Sequence, residues 1–132
     1  LLGCGGEAVV TVTGTGSFSQ GGPNQHAALA AAPVLAKRQA AALFIDTDGS
    51  DGGTELAGGL VDGTTCDTAD LLDVDIVTGL ARRRSSDVCR ILRSAVTTGH
   101  TGTNVNDLFV LAAETGVESI SVISDLATGR LI

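Results

Sequence analysis

Ala41-Ala42-Leu43-Phe44-Ile45 is a short apolar run that passes directly into Asp46-Thr47-Asp48-Gly49-Ser50-Asp51-Gly52. An apolar run bounded by acidic turn residues suits a strand buried on both faces, ending in a polar loop. Upstream, residues 8–13 (Ala-Val-Val-Thr-Val-Thr) are rich in β-branched side chains and read as a strand. Residues 14–23 form a glycine-rich loop. Residues 24–32 read as a helix starting near Pro23 or Asn24, which Pro33 should kink or break.

Downstream, residues 54–60 suit a short helix capped by Thr54, and residues 66–73 a weak one. Residues 78–83 are ambiguous. Residues 86–94 form a better helix, because Val88, Ile91, Leu92 and Ala95 recur on one face and Ser85 or Ser86 can cap it. Residues 96–98 and 105–112 read as strands, the second with a helical alternative over 108–113. Residues 118–123 suit a last strand or a tail. Alternating strands and helices predict an α/β fold, a layered sandwich with a mixed β-sheet flanked by helices.

The 132 residues fit a single domain, with a core at about 5–112 and an uncertain tail at 113–132. A chain that begins Leu1-Leu2 and has no methionine reads as a piece of a longer protein. A net charge of −7 argues against a nucleic-acid partner, which needs a basic face. The one basic cluster, Arg82-Arg83-Arg84 with Arg90 and Arg93, reads first as the solvated face of a helix. Cys4, Cys66 and Cys89 lack ligand spacing, so they read as small buried thiols in a reducing, cytoplasmic setting. No apolar run is long enough to cross a membrane.

Three loops could carry chemistry. The segment from Gly14 to Gln25 places glycines between a strand and a helix, as an anion cradle does, with Gly21 and Gly22 nearest the helix. It is neither a P-loop nor a dinucleotide fingerprint, since it lacks the Lys-Ser/Thr pair and the third glycine. Its plain reading is a tight turn. Asp46, Asp48 and Asp51 are close carboxylates that a divalent cation could satisfy; equally, they could cap nearby N–H groups. Thr101-Gly102-Thr103-Asn104-Val105-Asn106-Asp107 offers hydroxyls and carboxamides for a polar ligand, or for holding its own loop together. If that segment is extended, Asn104 and Asn106 share a side. Glu7 follows Gly5-Gly6 and is either a fourth candidate or a surface acid.

These stretches occur in an order that resembles a known family. Gly5-Gly6-Glu7, Gly21-Gly22-Pro23-Asn24-Gln25, the acidic loop from Asp46 to Gly52, Val61-Asp62-Gly63-Thr64-Thr65, and Thr98 to Leu108 together resemble the MOFRL domain, the C-terminal domain of one class of glycerate 2-kinases. The resemblance implies ATP-dependent phosphorylation of D-glycerate to 2-phosphoglycerate. It implies a cleft completed by a Rossmann-like N-terminal domain, so that this domain alone is inactive. It implies that Asp46 and Asp48 hold Mg²⁺ or orient the glycerate hydroxyl. Glu7, Gly21, Gly22, Asn24, Thr103, Asn104 and Asn106 would bind and position substrate and phosphate. A homo-oligomer is left open.

The chain also departs from the family pattern. Gln20 and Pro23 stand where arginine is frequent, and His26 where glutamate is. Arg83-Arg84-Ser85 replaces an Asn-Asp-Ser run, and His100 replaces proline. Two alternatives follow: a hydroxypyruvate reductase-like enzyme, which the missing dinucleotide fingerprint disfavours, and a non-catalytic binding or assembly module that keeps the fold.

Overall fold

The structure, a computed structural model, describes residues 1–11 and 21–114. Five strands form one sheet: β1 (Leu2–Gly6), β2 (Ala40–Asp46), β3 (Gly58–Asp62), β4 (Ala95–Val96) and β5 (Asp107–Ala113). Four helices accompany it: α1 (Pro23–Leu35), α2 (Thr65–Leu71), α3 (Ile76–Ala81) and α4 (Ser85–Ile91). The strand order is β1-β5-β2-β3-β4. The α/β layering is as expected, but every pairing among these strands is antiparallel where a mixed sheet was expected.

Register decides which side chains form the core. Ala42 pairs with Leu111 and with Val61, and Phe44 with Phe109. These residues face α1, whose Ala28, Leu29, Ala31, Ala32 and Leu35 are fully buried. Helices α2, α3 and α4 pack around α1 on the same side. The alternate residues Leu43, Leu60 and Val110 line up on the opposite face, and Leu60 is 48% exposed. Strand β2 is therefore deeply buried on one face only, which corrects the expectation of two.

Several element readings change. The first strand is Leu2–Gly6; residues 8–11 carry no strand and residues 12–13 lie outside the described residues. Residues 58–60, expected in a helix, begin β3. A Cβ on Gly58 would lie 1.9 Å from the Phe44 carbonyl oxygen, and one on Gly59 2.7 Å from the Ala28 Cβ. Close backbone approach, which only glycine permits, outweighs its poor strand propensity here. Helix α1 runs through Pro33 without breaking there and stops two residues later at Leu35, so the lost N–H and the ring's clash with the preceding turn shorten the helix rather than interrupt it. The expected last strand at 118–123 lies outside the described residues.

Of the cysteines, Cys89 is buried, Cys66 half-buried and Cys4 exposed, so the buried-thiol reading holds fully only for Cys89. Burial, with the nearby Asp51 charge, pushes the Cys89 thiol up to about 12. Among the described residues no helix is long and apolar enough to cross a membrane.

Candidate functional site

Strands β2 and β5 end together, and Asp46 pairs directly with Asp107. Opposite residues in an antiparallel pair share a face, so both carboxylates point toward the start of α1. Burial raises the Asp46 carboxyl above its ordinary range. The Asp48 N–H pulls it back, and the charges of Asp48 and Asp107 raise it further.

The acidic turn is tied to the Asn/Thr loop. Thr47 N–H donates to the Asn106 carbonyl at 3.1 Å, and Thr101 N–H to the Asp48 carbonyl at 3.2 Å. The Thr101 hydroxyl donates to the Thr47 carbonyl at 2.6 Å, and Asn104 Nδ2 reaches Asp48 Oδ2 at 3.4 Å. Asp46 and Asn104 thus belong to one rim. The segment is not fully extended: Asn106 has φ +64°, and its carbonyl is held by Thr47. Thr103 and Asn104 are exposed. Gly49 at φ +94° faces the Gly99 carbonyl, with no room for a Cβ.

The start of α1 is already satisfied from within the chain. Asp51 accepts from Asn24 N–H at 3.0 Å and Gln25 N–H at 2.8 Å. It also accepts from Asn24 Nδ2 at 3.2 Å and Gln25 Nε2 at 2.9 Å. Pro23 has no N–H, and His26 N–H bonds the Gly22 carbonyl. The first-turn donors that a phosphate would need are therefore spent on a carboxylate. Gly21 and Gly22 serve this closure: a Cβ on Gly22 would lie within 2.4 Å of the Asp51 carboxylate, and one on Gly21 2.0 Å from Ser85 Oγ. Residues 14–20 of the loop lie outside the described residues.

Asn24 links this cap to the sheet. Its Nδ2 also donates to Asp107 Oδ1 at 2.7 Å, and its Oδ1 has no hydrogen-bond partner. Asp107 Oδ2 accepts from Ala8 N–H at 2.5 Å, which holds the exposed Glu7 beside the site. Behind Asp51, Ser86 Oγ donates to Gln25 Oε1 at 2.5 Å. Ser86 thus spends its hydroxyl on a distant amide, and α4 has no side-chain cap. Sequence reasoning weighed Asp51 as a cation ligand or a cap of local N–H groups, and left Asp107, Gln25 and Ser86 out of the expected site residues. The one signal was chemical: Gln25, Asp51 and Asp107 belong to polar runs already singled out, whereas Ser86 stood out only as a helix cap.

Burial, and secondarily the Arg83 charge, hold the half-buried His26 imidazole below its ordinary value of 6.5. Above that value both folded and unfolded chains carry it neutral. Below it the unfolded chain gains a proton first, so stability is lost as pH falls from 6.5 toward the folded value. The urea midpoint should drop between about pH 7 and about pH 5.5, and His26→Gln should flatten that drop. An equal drop in the variant would refute the assignment.

Among the described residues no group of three or more His, Cys, Asp or Glu could hold a metal ion. Asp46 and Asp48 nevertheless fit Mg²⁺, which commonly takes one or two carboxylates and completes its shell with water and phosphate oxygens. The MOFRL family profile matches residues 1–107.

This chain belongs to the MOFRL family.

Over 106 residues, this MOFRL chain is 40% identical to the glycerate 2-kinase of Pyrococcus horikoshii, covering 80% of the chain and 24% of the relative. It is 42% identical over 107 residues to the D-glycerate 2-kinase of Thermotoga maritima, covering 80% and 25%. A solved Pyrococcus horikoshii protein superposes with TM-score 0.81 at 37% identity, covering 86% of this chain and 26% of that one. The crystal structure of Thermotoga maritima glycerate kinase superposes with TM-score 0.76 at 38% identity, covering 83% and 26%. The MOFRL chain spans about a quarter of the length of these relatives.

Proposed function

We propose that this MOFRL chain is part of a glycerate 2-kinase that phosphorylates D-glycerate at its 2-hydroxyl with ATP, working in the cytoplasm. The observation that carries the reading is the convergence of Asp46, Asp48 and Asn104 at one rim, above the buried Asn24, in a chain whose curated relatives are named glycerate 2-kinases. Phosphoryl transfer asks for positioning and charge neutralisation more than covalent help. Asp46 and Asp48 would hold Mg²⁺, which supplies charge neutralisation at the phosphates.

In this reading Asp46 faces the glycerate hydroxyl and orients it. Glu7 and the exposed Thr103, Asn104 and Asn106 line the substrate side. Gly21, Gly22 and Asn24 act by building the floor of the site, since the helix start is closed by Asp51. A Rossmann-like N-terminal domain of the same protein would close the cleft and bring the basic groups for ATP.

The test is direct. The full-length protein given ATP, Mg²⁺ and D-glycerate should release ADP and form 2-phosphoglycerate. A folded full-length protein that releases no ADP above its glycerate-free background overturns the reading.

A further inference from the structure

We infer that Asp107 is a positioning residue for Glu7, fixing the segment after β1 against the start of α1. The inference rests on the kinase reading above for its catalytic consequence, and on geometry for its placement. Asp107 is 6% exposed, and each carboxylate oxygen has one assigned donor. Oδ2 takes the Ala8 N–H, the amide next to Glu7, and Oδ1 takes the Asn24 carboxamide. Those donors are 99 and 83 residues away in sequence, so one carboxylate joins two distant segments. It also stands opposite Asp46 in the sheet register.

Glu7 has no strand of its own, because β1 ends at Gly6, the residue paired with Asp107. The β1–β5 ladder fixes the backbone as far as Gly6, and the next tie beyond it is the Ala8 N–H. The Ala8–Asp107 bond therefore sets where Glu7 projects. Replacing the carboxylate by a carboxamide turns one of its two acceptors into a donor. That donor must then face either the Ala8 N–H or the Asn24 amide, and one of the two ties is lost.

A double-variant cycle in the full-length protein separates positioning from general support. Asp107→Asn is expected to lower kcat about 100-fold and Glu7→Gln by a similar factor, with the double variant no worse than the worse single. Losses that multiply would overturn the inference. A second readout needs no turnover. Amide exchange at Ala8 should quicken at least about tenfold in Asp107→Asn while Leu29, in the core of α1, keeps its rate. An unchanged Ala8 rate would also overturn it. If Asp107→Asn does not fold, replacing the Glu7–Ala8 amide with an ester removes the N–H donor without altering a side chain and should reproduce the kcat loss; wild-type kcat in that variant counts against the inference. A wild-type protein that releases no ADP would sink the kinase reading alone, and the Ala8 exchange rate would still decide whether Asp107 places Glu7.

Discussion

Asp51→Ala should destabilise the folded chain by about 3–5 kcal/mol, as expected when one side chain leaves several buried donors without an acceptor. Asp51 is 1% exposed and accepts from two backbone N–H groups and two carboxamides. Without it the first turn of α1 keeps buried donors with nothing to receive them, each costing about 1–3 kcal/mol. The small residue also leaves space beneath Gly22. Asp51→Asn should be nearly as damaging, because its amide must point a donor at a donor. Urea unfolding checks this, and a midpoint that places either variant within about 1 kcal/mol of wild type would refute the role.

Asp46→Asn should leave the fold intact and remove activity. Asp46 is half-buried at the end of β2 and accepts the Asp48 N–H at 3.2 Å, a bond that the carboxamide oxygen can keep. What it loses is the charge that would hold Mg²⁺ and orient the glycerate hydroxyl. Loss of one preorganised electrostatic contact of this kind costs about 10²–10³ in kcat. The full-length variant should fall by that factor with D-glycerate, while its urea midpoint stays near wild type. A loss smaller than about tenfold would remove Asp46 from the chemistry.

How much of this was legible in the sequence follows from the range of each interaction. Strand β2 was readable because its signal is local: five apolar residues, then acids. Helix α4 was readable from the spacing of Val88, Ile91 and Leu92. Strands β1 and β3 were not, because Gly5-Gly6 and Gly58-Gly59 carry no strand propensity. Their glycines answer to backbone on other segments, such as the Phe44 carbonyl against Gly58.

The candidate site divides in the same way. The loops that carry Asp46, Asp48 and Asn104 stood out by composition, and the structure joins them at one rim. Asp51 and Asp107 did not stand out as organising residues. Their partners lie 26 to 99 residues away, and no local pattern marks a carboxylate that will cap a distant helix. The glycine-rich loop suggested an anion cradle for a sound reason, since its helix start does bind an anion. The anion is the side chain of Asp51.

That self-supplied cap ties inheritance of function to inheritance of shape. Mutation cannot easily retune the floor of the cleft, because the bonds that arrange it also keep the polypeptide folded. Divergence in what such a protein accepts has freer rein at Thr103 and Asn104, whose exposed side chains can change without unseating the helix below.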